Sequence, residues 1–162
     1  MQSLMTRSKI LAFAAALALA ACASGPAPQP ESNITQIVST TSFGMCVGYC
    51  TTRLEISPGR AVLIRQARGG RGAPQDLPDQ RFSAVLTPDE WDAIQQLAAN
   101  TDLASLPDVI GCPDCADGGA ESLAIVGDAP SKTVSFDFNA SVPEADPLLQ
   151  RVRAIRARLT PD

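Results

Sequence analysis

The chain repeatedly alternates apolar and polar residues, and a period of two is satisfied only by strands. Thr52, Leu54 and Ile56 alternate with Arg53 and Glu55. An extended segment of this kind has one apolar and one polar face. Ser57-Pro58-Gly59 follows at once with turn chemistry, and Ala61 to Gln66 returns as the second arm of a hairpin. Ile34 to Thr41 is β-branched and apolar-rich and reads as a further strand. Phe82, Ala84 and Leu86 alternate in a short one. Glu121 to Gly127 carries Leu123 and Ile125 on one face, Asp128-Ala129-Pro130-Ser131 turns the chain, and Val134, Phe136 and Phe138 then alternate with Thr133, Ser135 and Asp137. That is a second hairpin. Arg68 to Gln80 is rich in Gly, Arg and Pro and reads as a mobile loop.

Two stretches change to the period of a helix. In Thr87-Pro88-Asp89-Glu90, the threonine suits an N-cap, the proline the first helical position, and the glutamate completes a capping box. Trp91, Ile94, Leu97 and Ala98 then form one apolar face, and Asn100 suits the end. Leu103 and Leu106 are expected to pack just beyond. Asp146-Pro147 opens the last helix in the same way; Leu148, Leu149, Val152, Ile155 and Leu159 face the core, and Arg151, Arg153, Arg156 and Arg158 form a solvated stripe. Strands, helix, hairpin and helix in that order predict an α+β fold over residues 34–162. Its sheet is largely antiparallel, with two helices packed on one face.

The front of the chain follows other rules. Arg7 and Lys9 make a positive start, Ile10 to Ala21 is an apolar run too short to span a bilayer as a helix, and Leu19-Ala20-Ala21-Cys22 ends it. This resembles the signal of bacterial lipoproteins, with Leu19, Ala20, Ala21 and Cys22 matching the lipobox. The resemblance implies removal of residues 1–21, a diacylglyceryl thioether on Cys22, and acylation of its new amine with a fatty acid such as palmitate. Two or three chains bury methylene groups at about 0.8 kcal/mol each, enough for a lasting anchor. Ala23, where an Asp would retain an enteric lipoprotein at the inner membrane, implies an outer-membrane protein facing the periplasm. Residues 22–33, with Pro26, Pro28 and Pro30 in alternation, form a semi-rigid tether.

Composition removes several classes of function. Formal charge is −4, and the signal carries a Lys, an Arg and no acid, so removing it leaves −6. An acidic chain argues against nucleic acid as a partner. There is no histidine. That excludes Ser-His-Asp and Cys-His hydrolases and any His-ligated zinc enzyme. No catalytic residue, cofactor or resident metal is predicted.

Four further cysteines stand in two close pairs, Cys46 with Cys50 and Cys112 with Cys115. An oxidising periplasm favours disulfides. Three connectivities are open. A tight local bridge contributes about 2 kcal/mol and a cross-domain bridge about 4 in the chain-entropy account. Phe43-Gly44-Met45-Cys46-Val47-Gly48-Tyr49-Cys50, running into an alternating strand, resembles an uncharacterised family of secreted bacterial domains with a Cys-x-Gly-x-Cys signature. The similarity covers about Ile34 to Leu159, departs at Thr51 where many relatives have Pro, and implies two local bridges.

Three other chemistries compete for these cysteines and their neighbours. Cys112-Pro113-Asp114-Cys115 has the form of a thiol–disulfide exchange motif, which would make the chain a periplasmic oxidoreductase or redox sensor. It lies between a loop and a hairpin, not at a helix N-terminus, and Asp114 and Asp117 beside it disfavour a thiolate. Four thiolates could close a structural zinc site. Asp114, Asp117, Glu121 and Asp108 around Gly118-Gly119 offer hard oxygens to calcium, without EF-hand spacing. The preferred expectation is a non-enzymatic binding module. It meets an envelope protein through a loop-rich end holding Tyr49, Asp114, Asp117 and Glu121.

Overall fold

A computed structural model of the chain describes residues 33–68 and 77–161. The signal, Cys22, the tether through residue 32 and residues 69–76 of the glycine-rich loop lie outside them. Strand β1 runs Ile34–Ser42, β2 Gly48–Ser57, β3 Arg60–Arg68 and β4 Gln80–Val85. Helix α1 spans Pro88–Ala99, a two-residue strand β5 is Val109–Ile110, β6 is Ala120–Gly127, β7 Thr133–Asp137, and α2 Asp146–Leu159. The strands form one seven-stranded sheet in the order β4-β3-β2-β1-β6-β7-β5. Every pairing is antiparallel except β5 with β7. The α+β fold with a largely antiparallel sheet is therefore present. β5 was not expected: two residues are too few to show a period.

Strand β1 is the seam between the two hairpin systems. Along its covered face, Ile37 sits between Ile56 and Ile125, Ser39 between Leu54 and Leu123, and Thr41 between Thr52 and Glu121. The rows thus grade from aliphatic to polar in steps of two residues. Trp91, Ile94 and Ala98 of α1 and Leu148, Leu149, Val152 and Ile155 of α2 join Ile37, Leu54, Ile56, Leu63, Leu123, Val134 and Phe136 in one buried cluster. These sheet residues share one face by strand parity, so both helices lie on that face. The opposite face carries Gln36, Thr40, Arg53, Glu55 and Thr133, and Arg53 pairs with Glu55 at 2.7 Å.

The start of α1 is built as its sequence predicts. Thr87 Oγ1 accepts from the Glu90 N–H at 3.2 Å, and Glu90 Oε2 accepts from the Thr87 N–H at 2.9 Å. Helix α2 starts differently. Ala145 is its N-cap and gives no side-chain cap. Asp146 turns back instead, accepting from the Val142 N–H at 2.8 Å and from the Ser141 hydroxyl.

The solvated arginine stripe on α2 needs correction. Arg153 and Arg156 fold down onto the sheet and both pair with Glu121. Arg158 pairs with Glu90 of α1 at 3.1 Å. The polar rows of β1 and β6 leave room under α2 that aliphatic side chains do not fill, and the two guanidiniums occupy it.

Candidate functional site

The end of β1, the start of β2, the start of β6 and the end of β7 lie at one end of the sheet, as the pairs Ser42–Thr51, Ser42–Ala120 and Ala120–Asp137 require. The connections that carry the cysteines therefore meet there. Cys46 is bonded to Cys50 and Cys112 to Cys115, with Cα–Cα distances of 5.6 and 5.4 Å, inside the usual disulfide range. Both bridges are local. All four sulfurs are used, which leaves no thiolate for a zinc site in this state.

Asp114 joins the two clamped loops. Its Oδ1 accepts from the Gly44 N–H at 3.1 Å and from the Gly119 N–H at 3.2 Å. The Asp114 N–H donates to Gly119 O at 3.0 Å, and the Phe138 N–H donates to the same oxygen at 3.1 Å. Phe43 and Phe138 meet edge to face, with ring centroids 4.9 Å apart. Gly119 has φ +81°, and a Cβ there would overlap the Phe43 ring, so this position needs glycine twice over. Asp114, Ala116 and Asp117 hold φ of 63, 52 and 59°. Left-handed backbone costs an L-residue free energy and persists only where surroundings enforce it. At Asp114 the ring closed by Cys112–Cys115 and its own hydrogen bonds enforce it.

The four carboxylates considered for calcium do not converge. Asp114 is spent on backbone amides. Asp108 pairs with Lys132 at 3.3 Å. Asp117 is exposed on the loop. Glu121 belongs to the core, not to the loop: it is 0 % exposed. Its Oε2 accepts from Arg153 at 2.7 and 3.0 Å, and its Oε1 from Arg156 at 2.8 Å. Arg153 also donates to Ala140 O at 2.8 Å, and Arg156 reaches the Ser39 hydroxyl. Burial alone would raise the Glu121 pKa; the hydrogen bonds from Arg153 and Arg156, with their charges, outweigh it and hold the carboxyl below its ordinary value. Among the described residues, no group of three or more His, Cys, Asp or Glu is placed to hold a metal.

Tyr49 is half-buried. Its hydroxyl donates to Pro78 O at 2.9 Å and its ring lies 5.1 Å from the Arg65 guanidinium carbon. It braces the loop from behind. The most exposed apolar side chains at this end are Met45, 80 % exposed, and Val47, 69 % exposed. Sequence reading passed over both. The available signal was their setting: apolar residues flanked by glycines and a local disulfide cannot reach the core.

At the other end of the sheet, a cleft of about 200 Å³ lies between Ile34, Ala98, Leu103, Ile125 and Pro130. Lys132 closes its rim, donating to Ala104 O at 3.3 Å and to Leu106 O. Among the described residues, no helix is long and apolar enough to cross a membrane. No protein-family model and no curated protein matches this chain, so the candidate site rests on its own geometry.

Proposed function

We propose that this chain is a lipid-anchored, non-enzymatic binding module of the bacterial outer membrane. It faces the periplasm and engages an envelope protein through the disulfide-clamped end of its sheet. The observation that carries the reading is the Asp114 junction. It fixes two loops side by side behind Met45 and Val47, so an apolar pair is presented on a backbone that is already ordered. Preordering lowers the cost of binding. The lipobox at Leu19–Cys22 supports the anchor. The chain enters the domain at Ile34, and β1 then runs nine residues, about 30 Å, before the clamped loops begin. A tether of residues 22–33 reaches roughly 35 Å if extended. The loops thus stand at the end of β1 away from the anchor's point of entry.

The test places a photo-crosslinking side chain at position 45 or 47 of the full chain in intact cells, with Val85 on the sheet edge as control. A discrete adduct from 45 and 47, absent from 85 and removed by Cys22→Ser, is the expected result. Equal adducts from all positions would end the reading.

A further inference from the structure

We propose that the Cys112–Cys115 bridge is a reducible latch on this site, acting through Asp114. The inference rests on the docking reading above and names how that surface would be regulated.

The two bridges are unequal in access. Cys50 is 2 % exposed, packed into β2, and Cys46 is partly covered. Cys112 and Cys115 are both exposed. A dithiol reductant therefore reaches the second bridge first. One of its thiolates attacks a sulfur of the bridge and gives a mixed disulfide; its second thiolate then expels the protein sulfur. The bridge takes up two electrons and two protons, and the reductant leaves as its own disulfide.

The consequence follows from where Asp114 sits. It lies inside the ring that the bridge closes, at φ +63°, next to Ala116 and Asp117 in the same left-handed region. Closure holds Asp114 in a conformation it disfavours, while Ala116 and Asp117 lie just outside the ring. Once the ring opens, Asp114 relaxes toward negative φ, and its carboxylate leaves the Gly44 and Gly119 amides. Gly44 is the link between β1 and the Cys46–Cys50 loop, so Met45 loses its fixed placement while the first bridge stays closed. Reduction would thus cost binding its preordered backbone without unfolding the sheet.

The experiment uses the full chain, purified as expressed, titrated with dithiothreitol. Thiol alkylation with mass spectrometry reads the bridges, and amide exchange by NMR reads Gly44, Gly119 and the core amides of Ile37 and Leu54. Cys112 and Cys115 should open at about tenfold less reductant than Cys46 and Cys50. Gly44 and Gly119 should lose about tenfold in protection as they do, with Ile37 and Leu54 unchanged. Asp114→Ala should show the unprotected Gly44 before any reduction and no further change after it. Should that variant fail to fold, Cys112→Ser/Cys115→Ser must show the same exposed Gly44. Simultaneous opening, or Gly44 protection that survives opening of Cys112–Cys115, overturns the latch. So does a position-45 adduct of unchanged yield on the reduced chain. A chain that forms no adduct in either state removes the docking reading and leaves the order of opening and the exchange result to judge the latch alone.

Discussion

The two ends of the central strand are held by different forces. Where β1 begins, Ile37 is flanked by Ile56 and Ile125 under two helices, and burial of aliphatic surface suffices. Where it ends, Thr41 is flanked by Thr52 and Glu121, and the chain recruits two arginines, two disulfides and a bridging aspartate. Aliphatic packing tolerates shifts in detail because it has no direction. Hydrogen-bonded charges and short covalent rings do not, and they position loops that a small core could not reach. The contrast teaches that the polar end is built for placement and the aliphatic end for stability.

The largest effect should come from breaking the aliphatic end. Leu54→Ala, at a fully buried position, should cost about 3 kcal/mol in a urea titration, transfer and cavity terms together. It should leave adducts from position 47 intact on the folded fraction.

Next is Glu121→Gln, which leaves Arg153 and Arg156 facing a neutral amide. The expected loss is about 2 kcal/mol near neutral pH, below that of a fully dry pair because both guanidiniums keep some contact with water. The sign with pH is fixed by the direction of the shift. A carboxyl held below its ordinary value stabilises the fold above the ordinary glutamate range, about pH 4, and that contribution is lost as pH falls through the lowered value. Glu90 and Asp146 are shifted the same way, by their backbone and side-chain hydrogen bonds. Acid titration of the Glu121→Gln chain should therefore show a shallower low-pH limb than the parent, while one left by Leu54→Ala keeps the parent slope.

Smaller again is Thr87→Ala. Loss of its half of the capping box should cost about 1 kcal/mol, read as a lower urea midpoint without change of slope. Met45→Asp/Val47→Asp should change stability by less than about 0.5 kcal/mol, as befits exposed positions, and should abolish the adduct from a neighbouring crosslinker. An effect on stability as large as that of Leu54→Ala would mean these side chains belong to the core after all.

Much of this contrast is legible in the sequence, unevenly. Alternation at Leu54, Ile56, Leu123, Val134 and Phe136 marked the covered face, because a strand has only two faces to choose from. Thr87 and Glu90 marked a helix start because their partners lie within one turn. Glu121 shares strand parity with Leu123 and Ile125, which already put a carboxylate on the buried face. Arg153 and Arg156 stand four residues beyond Leu149 and Val152, on the flank of the same helical face. Read together, those two spacings pointed to a buried ion pair; read separately, they gave a loop acid and a solvated stripe. Asp114 reaching Gly44 could not be read, since the pairing of β1 with β6 that brings them together spans most of the domain. The bridge connectivity was open on spacing alone.

One consequence of the central position of β1 is mechanical. If the chain is anchored through Cys22 and held at its far end by a partner, tension enters at Ile34 and leaves near Gly44, along the axis of the strand. β1 is bonded on both sides, to β2 and β6. Such a load runs along the covalent backbone of a strand that is already extended, so neither ladder is sheared or peeled open. In such a chain, the strand that joins the two hairpin systems would carry force from one end of the sheet to the other without breaking a hydrogen bond.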